Sequence, residues 1–416
     1  MRIIIVAENV SAYWGGEAIL PLHYFRFLNR RGHDVWLVTH ERVKKELQNT
    51  LSADLLARVH FMADTWIHKL LFQLGKCIPH RLNVMTLETL MYLISERMIR
   101  SYVRDKVSAE RIDVVHQPYP VSPKRPSMIY DVGAPVVIGP MNGGMTFPAG
   151  FSYLESGFEK YFVRWARLCS EWANRLIPGK RKAAGLVVAN QRTKEALPAC
   201  CSPNIFCISE NGVDFSAWEH EGNYRGNKEW SPLFVFMGRL VDWKNIDVLI
   251  EALVVVMGKA DVHLAILGDG KERGRLESLV VHLGIEKHVQ FMGFLAQTEC
   301  SEWLQKSTAL LLPSLYECGG AVVLEAMAMR KPVIATNWGG PADYITEQTG
   351  ILIEPKSRDQ MIKDFAIAML RLIDKPELCE RMGREGRKRV EKEFDWEKKI
   401  DVMEEVYQKA IDKYND

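Results

Sequence analysis

Five short apolar runs in the second half of the chain each lead into a glycine turn, and this repetition constrains the fold more than any other feature. The runs are Leu233–Met237, Leu264–Leu267, Gln290–Met292, Ala309–Leu312 and Val333–Thr336. Apolar runs of this length bounded by turn signals read as buried strands. Helical segments alternate with them, which predicts a parallel sheet covered by helices on both faces. Ligands of such sheets bind outside the carboxyl ends of the strands. The glycine turns therefore line one crevice along that edge.

The first half opens the same way. A strand Ile3–Ala7, a polar loop containing Trp14, Gly15 and Gly16, a helix from Ala18 to Asn29 and a strand Val35–Thr39 form a strand–loop–helix–strand unit. It lacks a G-x-G-x-x-G, so a dinucleotide site is not indicated. Further strands are expected at Val114–His116, Pro135–Ile138 and Leu186–Ala189, and Asn211-Gly212-Val213-Asp214 closes the unit as a turn. The polar stretch between Trp218 and Ser231 reads as a linker. Two doubly wound domains follow, 1–217 and 218–395, with one long amphipathic helix from Trp396 to Tyr414.

Composition narrows the function classes. The chain has 416 residues, enough for two or three domains, and a net charge of +2, which implies no nucleic-acid partner. Eight cysteines show no C-x-x-C and no zinc spacing, so a reduced, cytoplasmic setting is expected. The run Met1–Ala7 is too short for a signal peptide, and no apolar run reaches the ~20 residues of a membrane span. Two segments, Trp66–Lys106 and Phe151–Lys182, interleave aromatic and basic residues. Either their aromatic stripes pack on the core, or they lie on anionic lipid.

The chemistry concentrates in the second half. Glu317 and Glu325 stand eight positions apart on a strand–turn–helix segment that contains Gly319 and Gly320. Such a turn aims backbone N–H groups at its occupant, which suits a diphosphate, and flanking carboxylates suit sugar hydroxyls. Gly238-Arg239-Leu240 follows a strand, with Lys244 five residues after Arg239. A guanidinium fork and a compact ammonium together neutralise a diphosphate. Gly293-Phe294-Leu295 suits a flat base, and Trp338-Gly339-Gly340-Pro341-Ala342-Asp343 is another glycine turn into a helix. In the first half, Gly15-Gly16-Glu17, His116-Gln117-Pro118 and Gly139–Gly144 occupy strand ends. For His116 a bond to substrate and a satisfied structural role both stand. No Asp-x-Asp pair occurs, so no divalent metal is indicated by that motif, and no Walker lysine motif or G-x-S-x-G is present.

Taken together, Glu317 to Glu325 (an E-x7-E), Gly238-Arg239-Leu240 with Lys244, Asn211–Asp214 and Arg31-Gly32-His33-Asp34-Val35 resemble the retaining GT-B glycosyltransferases of family 4. The resemblance covers nearly the whole chain, most strongly residues 233 to 356. It implies an α/β fold of two Rossmann-like parallel-sheet domains facing a cleft, with helix 396–416 crossing back to join an acceptor-binding first domain. It implies that Arg239 and Lys244 hold a donor diphosphate beside Gly238 and Gly16. Glu325 would bond the ribose and Glu317 the donor sugar, with Gly319 in the same turn. The N–H groups of Gly320, Ala321 and Val322 would face sugar or phosphate. The Gly293, Phe294 and Leu295 loop would sit near the base, and His116 near the anomeric centre.

Catalysis would then rest on Glu317, His116, Arg239 and Lys244, without a metal or cofactor. A hexose would move from a nucleotide sugar, UDP-glucose or UDP-galactose first, to a glycan or polyprenyl-linked acceptor in envelope polysaccharide synthesis, at the inner membrane face if the basic helices touch lipid. A nucleotide-sugar epimerase and a non-catalytic GT-B partner subunit are the alternative classes. Two departures from the family pattern stand out. Cys318-Gly319 follows the first glutamate where a glycine and a bulky residue are common, and Asp343 replaces a frequent glutamate.

Overall fold

The computed structural model describes residues 1–11, 16–76, 83, 86–154, 169–218 and 231–416. The loop residues Trp14 and Gly15, the aromatic–basic stretch 155–168 and most of the expected linker, 219–230, lie outside the described residues. The chain divides into two compact units. The first comprises 1–144, 157–210 and 399–416, and the second comprises 145–156 and 211–398.

The first unit holds a seven-stranded sheet. Its strands are β1 (Arg2–Val6), β2 (Asp34–His40), β3 (Val59–Met62), β4 (Val114–Gln117), β5 (Val136–Met141), β6 (Gly185–Val188) and β7 (Ile205–Cys207). Their order is β3-β2-β1-β4-β5-β6-β7, and every pairing is parallel. The central strands β1, β4, β5 and β6 are almost wholly buried, as expected when helices cover both faces of a parallel sheet. After β1, a 3-10 turn Gly16–Ile19 precedes the helix Leu20–Arg30, which Pro21 helps to start.

The second unit holds six strands. They are β8 (Leu233–Met237), β9 (His263–Leu267), β10 (Val289–Gly293), β11 (Ala309–Leu312), β12 (Val333–Thr336) and β13 (Gly350–Ile353). The order is β10-β9-β8-β11-β12-β13, again all parallel. The helix Ile246–Met257 is apolar on most sides because it is buried on most sides, through Val248, Leu249, Ile250, Leu253 and Val256. Phe234, Phe236 and Phe365 lie in the same core.

The fold is therefore two Rossmann-like parallel-sheet domains. Of the strands, β3, β7 and β13 are absent from the sequence expectation. All three are edge strands and only partly buried, unlike the equally short but fully buried inner strands β4, β6, β11 and β12.

The last helix runs from Trp396 to Asn415. Its start is tied to the Asn211–Asp214 turn. Val213 N–H donates to the Phe394 carbonyl (2.8 Å) and Trp396 N–H donates to the Val213 carbonyl (3.1 Å). From residue 399 onward the helix belongs to the first unit. There Arg31 reaches Asp401 (2.5 Å) and His33 reaches Glu404 (2.8 Å).

Candidate functional site

In both sheets the strand order reverses beside the first strand of the unit. In the second unit the reversal falls between β8 and β11. Ligands of doubly wound sheets bind outside the carboxyl ends of the strands at that switch point. The residues that follow β8 are Gly238, Arg239 and Lys244, and those that follow β11 are Ser314, Glu317, Gly319 and Gly320. The two sets belong to neighbouring strands and meet. The Lys244 ammonium forms an ion pair with the Glu317 carboxylate, both half-buried. Leu315 N–H donates to the Trp243 carbonyl (2.8 Å), which holds the two loops side by side.

Backbone contacts fix the floor of this edge. Gly238 N–H donates to the Leu267 carbonyl (2.9 Å), and Gly268 N–H donates to the Gly293 carbonyl (2.7 Å). Gly268 has φ +135°, and a Cβ there would lie 2.0 Å from the Gly238 carbonyl oxygen. A side chain at this position would push the β8 and β9 ends apart. The same logic joins the Gly339-Gly340 turn to the Glu317 loop. Gly340 N–H donates to the Glu317 carbonyl (2.9 Å), and a Cβ on Gly340 would meet the Gly319 carbonyl oxygen at 1.8 Å.

Gly320 caps the helix Ala321–Ala328, whose first residues are Ala321 and Val322. The N–H groups of its first turn have no acceptor within the helix. Glu325 sits one turn further on, half-buried. Among the described residues no hydrogen-bond or ion-pair partner reaches its carboxylate, and burial pushes its pKa up to about 7. A carboxylate in this state gains most from a ligand that donates hydroxyl hydrogens to it. Arg239 is exposed and Phe294 is 70% exposed, so both stand ready to contact a ligand. Gly293 and Leu295 flank Phe294 at the end of β10.

The second unit thus brings together Gly238, Arg239, Lys244, Gly293, Phe294, Leu295, Glu317, Gly319, Gly320, Ala321, Val322 and Glu325 along one sheet edge. Gly16 and His116 belong to the first unit. Gly16 has φ +57° at the start of the 3-10 turn. For His116 the sequence offers a place near the anomeric centre or a satisfied structural role. It is fully buried, its Nε2 contacts the Gly139 carbonyl (2.6 Å), and its Nδ1 contacts the Tyr407 hydroxyl (2.7 Å). Burial lowers its pKa to about 4. Through its two ring nitrogens His116 joins the last helix to β4 and β5.

Some residues at this edge carry no sequence signal. Ser314 follows β11 and Thr336 ends β12, and their buried hydroxyl oxygens have no hydrogen-bond partner among the described residues. The segment 145–156 also packs with the second unit. Trp338 Nε1–H donates to the Thr146 carbonyl (2.8 Å), and Phe147 lies 5.4 Å from the Tyr316 ring. A position after a strand of the other sheet gives no hint of that placement.

Residues 223–389 match the family model described as "Glycosyl transferases group 1". An uncharacterised glycosyltransferase of Methanocaldococcus jannaschii is 31% identical over 209 residues, 50% of this chain and 55% of that protein. The alpha-D-kanosaminyltransferase of Streptomyces kanamyceticus is 29% identical over 242 residues, 56% and 61% of the two chains. The chain thus spans about half the length of the curated relatives it matches. Among solved structures, a glycosyltransferase from Rickettsia africae superposes with a TM-score of 0.68 at 17% identity, over 99% of this chain and 98% of that one. Anabaena HepE in complex with UDP gives 0.67 at 16% identity, over 98% and 100%. The likenesses to solved structures establish the GT-B fold.

Proposed function

We propose that this protein is a retaining, family 4 glycosyltransferase that moves a hexose from a nucleotide sugar to a glycan or polyprenyl-linked acceptor in envelope polysaccharide assembly. UDP-glucose and UDP-galactose are the favoured donors. The Lys244–Glu317 pair at the switch point of the second sheet carries the reading. An ammonium and a carboxylate that neutralise each other at a ligand edge are matched to a ligand with both phosphate and hydroxyl groups. The solved structures of HepE with UDP and with UDP-glucose support a uridine donor.

In this reading the diphosphate draws Lys244 away from Glu317 and sits against Arg239 and the N–H groups of Gly320, Ala321 and Val322. Glu317, released, accepts hydroxyls of the donor sugar. Glu325 accepts the ribose hydroxyls, and the Gly293–Leu295 loop covers the base. The acceptor hydroxyl attacks the anomeric carbon from the face of the leaving group. The carbon–phosphate oxygen bond breaks as the new glycosidic bond forms, and the departing phosphate takes the acceptor's proton. The protein supplies charge stabilisation and no nucleophile. The first unit takes the acceptor, with the protein at the cytoplasmic face of a membrane. Trp66, Leu70 and Leu74 are exposed at one-turn spacing on the helix Trp66–Gly75, which supports contact with lipid. Among the described residues no helix is long and apolar enough to cross a membrane.

A thermal-shift screen of UDP- and GDP-sugars, followed by product analysis with and without added acceptors, tests the proposal. Glycoside formation supports it. An epimerised donor moves the protein to the epimerases, and no shift with any nucleotide overturns the donor site.

Two further outcomes are expected. Donor affinity falls as pH drops below about 7, because ribose hydroxyls favour the ionised Glu325 and protonation of its raised carboxyl competes. Above that value the affinity levels off. Glu325→Gln removes this slope, and an unchanged profile in the variant assigns the titration elsewhere. Transfer also proceeds at its full initial rate in EDTA, since Arg239, Lys244 and the helix N-terminus balance the diphosphate charge. Loss of the rate in EDTA, restored by Mg²⁺ or Mn²⁺, refutes the metal-free mechanism.

A further inference from the structure

A second cluster occupies the carboxyl edge of the first sheet. His40 ends β2, Asp64 follows β3, and His68 lies in the first turn of the helix Trp66–Gly75. One ligand atom from each lies within 4.8 Å of the other two. His40 Nε2 is 3.3 Å from Asp64 Oδ1, and His68 Nδ1 is 4.0 Å from the same oxygen. Both histidines are 1% exposed. The His40 Nε2 atom is buried, has no hydrogen-bond partner and faces Asp64. A buried imidazole nitrogen left open in this way requires an explanation.

We infer that His40, Asp64 and His68 form a binding site for a zinc-class divalent ion. Bonds of ~2.0–2.1 Å at tetrahedral angles put ligand atoms about 3.3 Å apart. The His40–Asp64 separation already has this value, and His68 Nδ1 lies 4.0 Å from the same Asp64 oxygen. The outer partners suit the role. His68 Nε2 contacts the Ser95 hydroxyl (3.0 Å), which donates to Glu8 Oε1 (3.1 Å). A carboxylate reached through a hydroxyl orients the imidazole so that Nδ1 faces the ion.

The contacts that now fill the cluster define what must open. Arg42 holds both Asp64 oxygens, through Nη2 (2.5 Å) and Nε (3.1 Å), and acts as the resident cation. Its side chain is 41% exposed and also lies 3.9 Å from Glu8, so it has an alternative carboxylate. Thr65 N–H (3.2 Å) and the Thr65 hydroxyl (2.8 Å) meet His68 Nδ1, and Arg42 N–H meets His40 Nδ1 at 3.4 Å. The ion replaces the charge of Arg42 and pins the helix Trp66–Gly75 to the ends of β2 and β3. It takes no part in the transfer chemistry of the second unit.

The test titrates the metal-stripped full chain with Zn²⁺ by calorimetry, and with Co²⁺ by its visible absorption. One tight equivalent with a tetrahedral Co²⁺ spectrum is expected. His40→Gln and Asp64→Asn lose that equivalent, while Ser95→Ala weakens it by about 10–100-fold. Arg42→Ala tightens it, an effect that damage to the fold does not produce. The exposed group Asp261, His263 and His288 is the control, and His288→Ala leaves the tight equivalent in place. The proposal is overturned if Zn²⁺ binds with the same stoichiometry and affinity in His40→Gln and Asp64→Asn, if His288→Ala alone removes binding, or if the wild-type chain takes up no Zn²⁺. Circular dichroism of each variant shows whether the fold is intact, and the Arg42→Ala result decides any case in which His40→Gln unfolds.

Discussion

Glu317→Ala lowers the transfer rate by about 10²–10³-fold, the range seen when one preorganised electrostatic group is removed from a reacting centre. The same variant still binds UDP. The split follows from the position of Glu317. Its carboxylate pairs with Lys244, so it competes with the diphosphate for that ammonium. Removing it leaves the phosphate-binding group in place and frees it of a competitor, and UDP affinity holds or rises. The sugar then loses the acceptor for its hydroxyls, and its anomeric carbon is no longer held in line. Glu317→Gln keeps the shape and one acceptor oxygen, so its rate falls between those of wild type and alanine. Calorimetry with UDP and a transfer assay at saturating donor separate the two effects. Wild-type turnover in Glu317→Ala removes this residue from the catalytic pocket, and loss of UDP binding assigns it to the fold of the loop.

How much of this was legible in the sequence differs by unit. In the second unit nearly every glycine turn could be read, because a turn in which backbone comes within 2.0 Å of a would-be Cβ leaves no residue but glycine, as at Gly268. The ligand edge therefore has a sequence signature. The first unit has none of comparable strength. In the sequence His116 shows only as a histidine at a strand end. Its actual partners are Tyr407, 291 positions away, and the Gly139 carbonyl. The motif Arg31-Gly32-His33 shows the reverse case. Its residues were legible as a resemblance, and the structure supplies their physical reason, since Arg31 and His33 grip Asp401 and Glu404 of the last helix. The triad of His40, Asp64 and His68 is spread over two strand ends and a helix, with no zinc spacing to reveal it. The edge strands β3, β7 and β13 are only partly buried, so they lack the continuous burial that marks the equally short inner strands.

Lys244→Ala weakens UDP binding by about 10–150-fold. A hydrogen bond to a charged group is worth ~1.5–3 kcal/mol, and 1.4 kcal/mol is a factor of ten. The position supports the upper part of that range. Lys244 is 13% exposed, so its interaction with a diphosphate is screened less than that of a surface cation. The loss has a second source. Without Lys244, the Glu317 carboxylate stays in its loop and faces the incoming phosphates unneutralised. The double variant Lys244→Ala, Glu317→Ala therefore binds UDP more tightly than Lys244→Ala alone, and the coupling between the two positions measures their competition. Uridine, which has no phosphate, binds wild type and Lys244→Ala alike. Lys244→Arg restores charge without restoring affinity fully, because a planar fork does not reproduce a compact ammonium at the carboxyl end of β8. Equal losses for uridine and UDP place Lys244 in the structure of the loop and away from the phosphates. Additive effects of the two substitutions show that the Lys244–Glu317 ion pair does not oppose the donor.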